Sequence, residues 1–217
     1  MKTEQVTNRS RAHIPYKLKD GTLVPGVTTF LSVLNKPALV KWANNLGLQG
    51  IDSTKYVDEK AAIGTLAHRM IADYLRGEET DTNEYSKVQI DQAENAVLAF
   101  FEWEKTHPIK PILIEEGMVS EKYRFGGTID CLGQINGKLC LFDFKTSRGI
   151  FPEMLIQVVA YRQLLVEHGY KVDQTTILRI GRTADEGFEE RLVNELDKRW
   201  QIFLHALEIY RLQKEVR

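Results

Sequence analysis

Apolar and polar positions follow one period in the first half of the chain and another after residue 110. Over 58–76, apolar side chains recur every three or four residues, as on one face of a helix, and Gly77 follows where that helix would end. The same period predicts further helices over about 28–34, capped by Thr28 or Thr29, and over about 37–48, 84–105, 153–168 and 193–214. The first half is therefore expected to be mainly helical.

A period of two, typical of strands, predominates after residue 110. It covers 111–120, 127–145 and 175–181, and Asn136-Gly137 divides the second run as a two-residue hairpin turn would. Residues 1–27 are expected to be irregular or strand-like, with turns at Asp20-Gly21 and Pro25-Gly26. Helices followed by a hairpin, a helix, a strand and a last helix predict an α/β sandwich with a small mixed sheet.

The length of the chain indicates one domain over 1–217, with a mainly helical part over 1–110 and a sheet part with the last helix over 111–217. The start, MKTEQVTNRSR, is polar, and no apolar run approaches the roughly 20 residues of a membrane span. We expect no membrane partner and a cytoplasmic protein, or one in the host cytoplasm if a phage encodes it. The net charge of −1 neither indicates nor excludes a nucleic-acid partner, because a basic groove and an acidic metal site cancel in the sum.

The cysteine count limits the metal chemistry. Cys131 and Cys140 are too few for a zinc knuckle or a four-cysteine iron–sulfur cluster, so a metal site would use oxygen or imidazole ligands. Both are predicted to be reduced strand residues.

The predicted hairpin brings charged residues together. If Asn136-Gly137 is the turn, counting outward pairs Asp130 with Asp143, and Lys145 lies on the same face. Opposed carboxylates repel each other, and a bound cation such as Mg²⁺ would offset that repulsion. The alternative is a surface salt bridge between the two acids and Lys145.

Four short motifs along the chain resemble those of one nuclease superfamily. The residues Gly127-Thr128-Ile129-Asp130 and Asp143-Phe144-Lys145 are similar to the acid and D-x-K motifs of PD-(D/E)XK nucleases. Two others resemble the G-T-x-x-H and Q-x-x-x-Y motifs of the RecB-like branch, namely Gly64-Thr65-Leu66-Ala67-His68 and Gln157-Val158-Val159-Ala160-Tyr161. The segment Val24-Pro25-Gly26-Val27-Thr28-Thr29 is similar to the P-S-V-T segment of phage and mitochondrial genome-maintenance exonucleases, with Gly26 in place of the serine.

This resemblance implies a restriction-endonuclease-like core and an Mg²⁺- or Mn²⁺-dependent DNA exonuclease without an iron–sulfur cluster. It implies a role in recombination, repair or viral genome processing, on DNA with a free end or a single-stranded region. The implied metal ligands are His68, Asp130, Asp143 and the main-chain carbonyl of Phe144. The implied catalytic residues are Asp130, Asp143, Lys145, Gln157 and Tyr161.

Several assignments stay open on the residues alone. His68, Gln157 and Tyr161 could simply pack, and either Glu115 or Glu116 could add an acid to the site. Basic and aromatic candidates for DNA contact are Lys122, Tyr123, Arg124, Phe125, Arg148, Arg179 and Arg182. A stripe on the last helix is predicted to be core, formed by Trp200, Phe203, Leu204, Leu207 and Leu212.

Two other functions compete with the exonuclease. One is a structure-specific or restriction-type endonuclease on the same fold, and the other is a non-catalytic nucleic-acid-binding module. The acids and the lysine disfavour the second.

Overall fold

The computed structural model describes residues 15–34 and 36–216, so the polar start at 1–14, Asn35 and Arg217 lie outside the described residues. The helices are α1 (Val27–Leu31), α2 (Pro37–Leu48), α3 (Ser53–Arg76), α4 (Lys87–Glu104), α5 (Pro152–Glu167) and α6 (Leu196–Glu215). The strands are β1 (Tyr16–Lys17), β2 (Leu23–Val24), β3 (Lys110–Ser120), β4 (Phe125–Ile135), β5 (Lys138–Lys145), β6 (Gln174–Ile180) and β7 (Phe188–Leu192).

The main sheet has five strands in the order β3-β4-β5-β6-β7. Neighbouring strands are antiparallel, except that β5 and β6 are parallel. A parallel pair needs a long crossover connection, and α5 supplies it. The predicted fold class, an α/β fold with a small mixed sheet flanked by helices, is confirmed.

The β4–β5 hairpin has the predicted turn and register. Asn136 and Gly137 have φ angles of 51° and 78°, as a turn with two left-handed residues requires. The ladder runs from Ile135 opposite Lys138 to Cys131 opposite Phe142. The local turn therefore sets the position of every residue along both strands.

A hydrophobic cluster covers each face of the sheet. On one face, α1, α5 and α6 pack on β4, β5 and β6, with Phe203 and Leu164 fully buried. On the other, α3 and α4 pack on the same strands through residues such as Ile71 and Phe100. Both free cysteines are buried strand residues in this second cluster, as predicted.

The stripe on the last helix is only partly core. Phe203 and Leu207 are buried, and Trp200 and Leu204 are half-buried. Leu212 is exposed, because it lies near the end of α6, beyond the buried part of that helix.

Some helices and strands differ in position from the sequence prediction, because a capping residue or a place at the edge of the sheet determines where they form. Asp52 accepts hydrogen bonds from the Thr54 and Lys55 amides, so α3 begins at Ser53 rather than near residue 58. The first helix begins after Gly26, not after Thr28 or Thr29, and ends at Leu31. Strand β7 was not predicted, because it is a largely exposed, charged strand at the edge of the sheet.

The N-terminal segment joins the sheet at β4. The amide of Gly126 donates to the carbonyl of Pro25, and Gly26 forms a bridge with Gly126. This contact brings the P-G-V-T segment beside the strand that carries Asp130. Among the described residues, none of the helices combines the length and apolar character needed to span a membrane.

Candidate active site

Three carboxylates come from adjacent strands of the sheet. The pairs Ile114–Cys131 and Glu116–Ile129 flank the position where Glu115 lies opposite Asp130. On the other side of β4, the ladder with β5 ends at the Cys131–Phe142 pair, and Asp130 and Asp143 are the next residues along their strands. Burial raises the pKa of Asp143 and the charge of Asp130 adds to that rise, so Asp130 on the central strand has an acid of β3 and an acid of β5 near it.

His68 joins Glu115 and Asp130 from α3. One ligand atom each of His68, Glu115 and Asp130 lies within 4.8 Å of the others. The distance from His68 Nδ1 to Asp130 Oδ2 is 3.4 Å, and the His68 ring meets the Phe144 ring edge-on. The helix and the two strands thus converge on one small volume.

The structure distinguishes the two glutamates that the sequence left open. Glu115 lies in the cluster with His68 and Asp130, whereas Glu116, the next residue along β3, is exposed. Glu115 has a φ of 53°, an uncommon backbone conformation for a glutamate within a strand. Such conformations concentrate at functional sites, where the surrounding structure holds them.

Asp130 also holds the end of β5 in place. Its Oδ2 accepts a 2.9 Å hydrogen bond from the main-chain amide of Phe144. This bond lies past the last residue pair of the β4–β5 ladder, so a side chain replaces the main-chain partner there. The acid motif and the D-x-K motif are therefore joined directly.

Asp143 is almost fully buried, with 1% of its surface exposed. Its Oδ2 lies 2.5 Å from Lys145 Nζ and, apart from this ion pair, has no hydrogen-bond partner among the described residues. Burial raises the pKa of Asp143, the charge of Lys145 opposes that rise, and the charge of Asp130 adds to it. A buried carboxylate oxygen with one cationic neighbour is suited to a second positive charge.

Gln157 and Tyr161 face the same region from α5. Gln157 Nε2 donates a 2.7 Å hydrogen bond to the Tyr161 hydroxyl. Burial, followed by the nearby Asp143 carboxylate, raises the pKa of Tyr161 and keeps it protonated. A Cβ at Gly127 would lie 2.5 Å from Cε1 of the Tyr161 ring, so glycine lets the ring approach the strand.

Gly64 has the same role between α3 and β5. A Cβ added there would lie 2.7 Å from Thr146 Oγ1. The glycine of the G-T-x-x-H motif thus allows the helix that carries His68 to approach the residue that follows Lys145.

Sequence reasoning did not identify Tyr16. Its hydroxyl is 2.9 Å from Thr128 Oγ1, and Thr128 is two residues before Asp130 on β4. A Cβ at Gly126 would overlap the Tyr16 ring, at 2.1 Å from Cγ. The Gly126-Gly127 pair, with room for a ring at each glycine, was the only sequence signal.

Three residues proposed for DNA contact are buried instead. The Arg179 guanidinium is 3.2 Å from Glu189, and that of Arg182 is 2.6 Å from Glu186. Both side chains are more than 90% buried, so their charges serve these ion pairs and do not face DNA phosphates. Phe125 is fully buried in the core.

The remaining candidates lie at the surface. Lys122, Tyr123 and Arg124 form the turn between β3 and β4. Lys122 Nζ lies 4.7 Å from the centre of the Tyr123 ring, whose other contacts include Trp200. The Arg148 side chain follows β5 and is 76% exposed. Their contact with DNA stays a prediction.

The donor set fits a hard divalent cation. Carboxylate oxygens are the ligands that Mg²⁺ and Mn²⁺ prefer, and imidazole suits Mn²⁺ in particular. One such atom each of His68, Glu115 and Asp130 lies within 4.8 Å of the others, and Asp143, whose pKa burial raises, is near enough for the charge of Asp130 to add to that rise. The participation of Asp143 and of the Phe144 carbonyl as ligands stays a prediction.

Comparisons with known proteins include a likeness to a solved structure. No protein-family model matches the sequence, and no curated protein matches it. A solved structure of a protein from Eubacterium rectale, named "Putative exonuclease", superposes with a TM-score of 0.48 and 14% sequence identity. The match covers 70% of this chain and 65% of that one, so this chain spans less than two thirds of its length.

Proposed function

We propose that this protein is a divalent-metal-dependent deoxyribonuclease that hydrolyses phosphodiester bonds from DNA ends. The observation that carries the proposal is the cluster of His68, Glu115 and Asp130, together with the buried Asp143 that is paired with Lys145. Like charges held close together are destabilising, and a bound cation offsets their repulsion.

The proposed division of roles follows from the positions of the side chains. Glu115, Asp130 and His68 would hold the cation, with Asp143 and the Phe144 carbonyl completing the set. A bound Mg²⁺ or Mn²⁺ lowers the pKa of a coordinated water and neutralises charge on a phosphate oxygen. Hydrolysis then forms one bond from water oxygen to phosphorus and breaks the bond to the leaving oxygen.

Lys145 and Tyr161 would act on the DNA rather than on the metal. The Lys145 ammonium, held beside Asp143, supplies a compact positive charge for the phosphate as its negative charge increases. The Tyr161 hydroxyl stays protonated because of its burial, so it can donate to a phosphate oxygen. Gln157 would orient that hydroxyl through its 2.7 Å hydrogen bond.

We further propose that the protein is a RecB-like exonuclease of recombination, repair or viral genome processing. Four motifs between Gly64 and Tyr161 occur in the order of that branch. The proposed preference for ends rests on the resemblance of these motifs to those of exonucleases.

End-labelled linear DNA and closed single-stranded circular DNA distinguish the candidate functions. Each DNA is incubated with Mg²⁺, Mn²⁺ or excess chelator. The parent protein is expected to degrade the linear DNA but not the circles, and to do so only when metal is present. An Asp130→Asn variant is expected to be inactive. Rapid cutting of circles would favour the endonuclease alternative. Binding of DNA without cleavage in either metal would favour a non-catalytic module, and full activity in chelator would contradict the site.

A further inference from the structure

The backbone of Glu115 has a conformation that needs support from its surroundings. Its φ of 53° lies in the left-handed region, which is uncommon for a residue with a side chain. The residues on either side, Ile114 and Glu116, both stay paired with β4. The left-handed conformation is therefore confined to this one residue of β3, and holding a glutamate in it costs free energy.

This conformation determines the direction of the Glu115 side chain. A change in φ at one residue turns its Cα–Cβ bond relative to the peptide unit before it. In the conformation that the structure shows, a carboxylate oxygen of Glu115 lies within 4.8 Å of ligand atoms of His68 and Asp130. An ordinary extended φ would aim the side chain differently, so the cluster depends on the left-handed conformation being kept.

Arg76, the last residue of α3, holds the peptide unit that precedes Glu115. Its Nη2 donates a 3.0 Å hydrogen bond to the main-chain carbonyl of Ile114. That carbonyl and the Glu115 amide belong to one planar unit, and turning this unit about the N–Cα bond of Glu115 is the change that φ measures. The hydrogen bond therefore restricts the φ of Glu115, and it comes from the same helix that carries His68.

Arg76 is in turn held by an acid of its own helix. Its Nη1 is 3.6 Å from Asp73 Oδ1, and Asp73 Oδ2 accepts a 2.8 Å hydrogen bond from the Thr80 hydroxyl. A guanidinium has donors in several fixed directions, so one side chain can pair with an acid and a carbonyl at once. The Asp73 side chain is only 13% exposed. Asp73 and Arg76 thus form an ordered link between the end of α3 and β3.

We propose that Arg76 is a positioning residue for the metal site, which keeps Glu115 in the conformation that lets its carboxylate bind the cation. The inference rests on the proposed function, and it adds a residue that is not among the proposed ligands. Without Arg76, the left-handed conformation of Glu115 becomes a minor one. The apparent affinity for the cation then falls in proportion to the population of that conformation.

A capping role for Arg76 alone predicts a different result. An arginine in the last turn of a helix stabilises that helix through its dipole, and its loss would lower stability without a specific effect on Glu115. Removing a positive charge near a cation site favours the cation by charge alone. Weaker metal binding after the loss of Arg76 is therefore the result that only a positioning role predicts.

Calorimetric titration with Mn²⁺ tests the positioning role without cleavage. The parent, Arg76→Met, Glu115→Gln and the double variant are compared. Arg76→Met is expected to weaken Mn²⁺ binding about tenfold, because a small fraction of the molecules then have Glu115 in place. In the Glu115→Gln background the same substitution is expected to cause no further loss, since the carboxylate that Arg76 positions is already absent.

Arg69→Met is the matched control. Arg69 lies on the same helix and is 3.8 Å from the same Asp73 carboxylate. Its loss removes an equal charge but leaves the hydrogen bond from Arg76 to the Ile114 carbonyl, so Mn²⁺ affinity should stay the same or rise slightly. Arg76→Lys keeps the charge but loses the planar fork, and its affinity is expected to fall severalfold. If thermal melts show that Arg76→Met does not fold, Arg76→Lys replaces it in both backgrounds.

The outcomes separate this inference from the proposed nuclease. Equal Mn²⁺ affinity in the parent, Arg76→Met and Arg76→Lys would overturn the positioning role even if metal-dependent cleavage is observed. An equal weakening in the Glu115 and Glu115→Gln backgrounds would also overturn it, because the effect would then be a general one on the fold. Weakening that depends on Glu115, in a protein that cleaves no DNA in Mg²⁺ or Mn²⁺, would support the positioning role and contradict the nuclease.

Discussion

At the scale of single residues, the candidate site holds two sets of charged groups. Asp130, Glu115 and His68 form one cluster, and Lys145 is paired with Asp143. This arrangement separates the groups that suit a cation from the group that suits a phosphate. Each set can therefore be tested without removing the other.

Lys145→Ala is expected to retain metal binding and to lose cleavage by about 10²–10³-fold, the scale seen when one preorganised electrostatic partner of a transition state is removed. Calorimetric titration with Mn²⁺ and cleavage of end-labelled DNA measure the two effects. Lys138→Ala, at the exposed start of the same strand, is the control and should cleave normally. Normal cleavage by Lys145→Ala would contradict its role.

Glu115→Gln and Glu116→Gln form a matched pair of neighbouring substitutions. Only Glu115 faces Asp130 and His68, so only Glu115→Gln should weaken metal binding and reduce cleavage, by tenfold or more. Glu116 is exposed, and its variant should behave as the parent. Equal effects of the two substitutions would contradict the assignment of Glu115, rather than Glu116, to the metal site.

At the scale of elements, glycines let the site-bearing segments approach one another. Gly127 admits the Tyr161 ring of α5 to β4, and Gly64 admits α3 to the end of β5. Helix α5 is also the crossover between the parallel strands β5 and β6. The geometry of the site thus depends on how closely two helices pack on one sheet.

Gly64→Ala is expected to destabilise the protein by roughly 1–3 kcal/mol and to reduce cleavage, because the new methyl group would lie 2.7 Å from Thr146 Oγ1. In a Thr146→Ala background the same substitution should be neutral or stabilising, since alanine favours helix more than glycine does. Urea denaturation of the four proteins measures this coupling. Gly47→Ala in α2, with open space around it, is the control and should not destabilise.

Arg182 and Glu186 are expected to contribute to stability and not to DNA binding. Their hydrogen bonds lower the pKa of Glu186, so the pair stabilises the fold above the ordinary glutamate value of about 4.5, and that stability is lost as pH falls below it. Arg182→Met should therefore cost roughly 1.5–3 kcal/mol at pH 7 and less in acid.

Arg148→Met is the control for Arg182→Met. Arg148 lies 3.9 Å from the same Glu186 carboxylate but is 76% exposed, so its loss should change stability little. Under the proposed function it should instead weaken DNA binding, measured by anisotropy in chelator. Weaker DNA binding by Arg182→Met with unchanged stability would contradict this assignment.

At the scale of the whole molecule, the buried acids Asp130 and Asp143 of the candidate site tie metal binding to the folded state, because only folding brings them together. Metal binding to the folded state alone should therefore stabilise the entire domain, by about 2.7 kcal/mol at a hundredfold excess over the dissociation constant.

Thermal melts with and without Mg²⁺ or Mn²⁺ test this linkage. The parent should melt at a higher temperature with metal, and Asp130→Asn should lose most of that shift. Without metal, Asp130→Asn should be as stable as the parent or slightly more so, because the amide oxygen can still accept from Phe144 while charge repulsion is relieved. Marked destabilisation of the metal-free variant would favour a salt-bridge role for the acids.

The sequence by itself determined what depends on near neighbours along the chain. The Asn136-Gly137 turn set the hairpin register, which runs from Ile135 opposite Lys138 to Cys131 opposite Phe142. Gly77 ended α3 in the left-handed conformation that the residue after a helix often adopts. Hydrophobic periods identified the long helices and the central strands because burial selects one face of each.

Only the tertiary structure decided what depends on contacts between distant segments. It selected Glu115 over Glu116 through the β3–β4 register, and it brought Tyr16 to Thr128 across more than a hundred residues. It buried Arg179 against Glu189, which lies in β7, and Arg182 against Glu186, which precedes β7. The sequence pattern did not predict this strand. These positions follow from how whole elements pack, because the free energy of a long-range contact depends on burial and register that no local window of sequence contains.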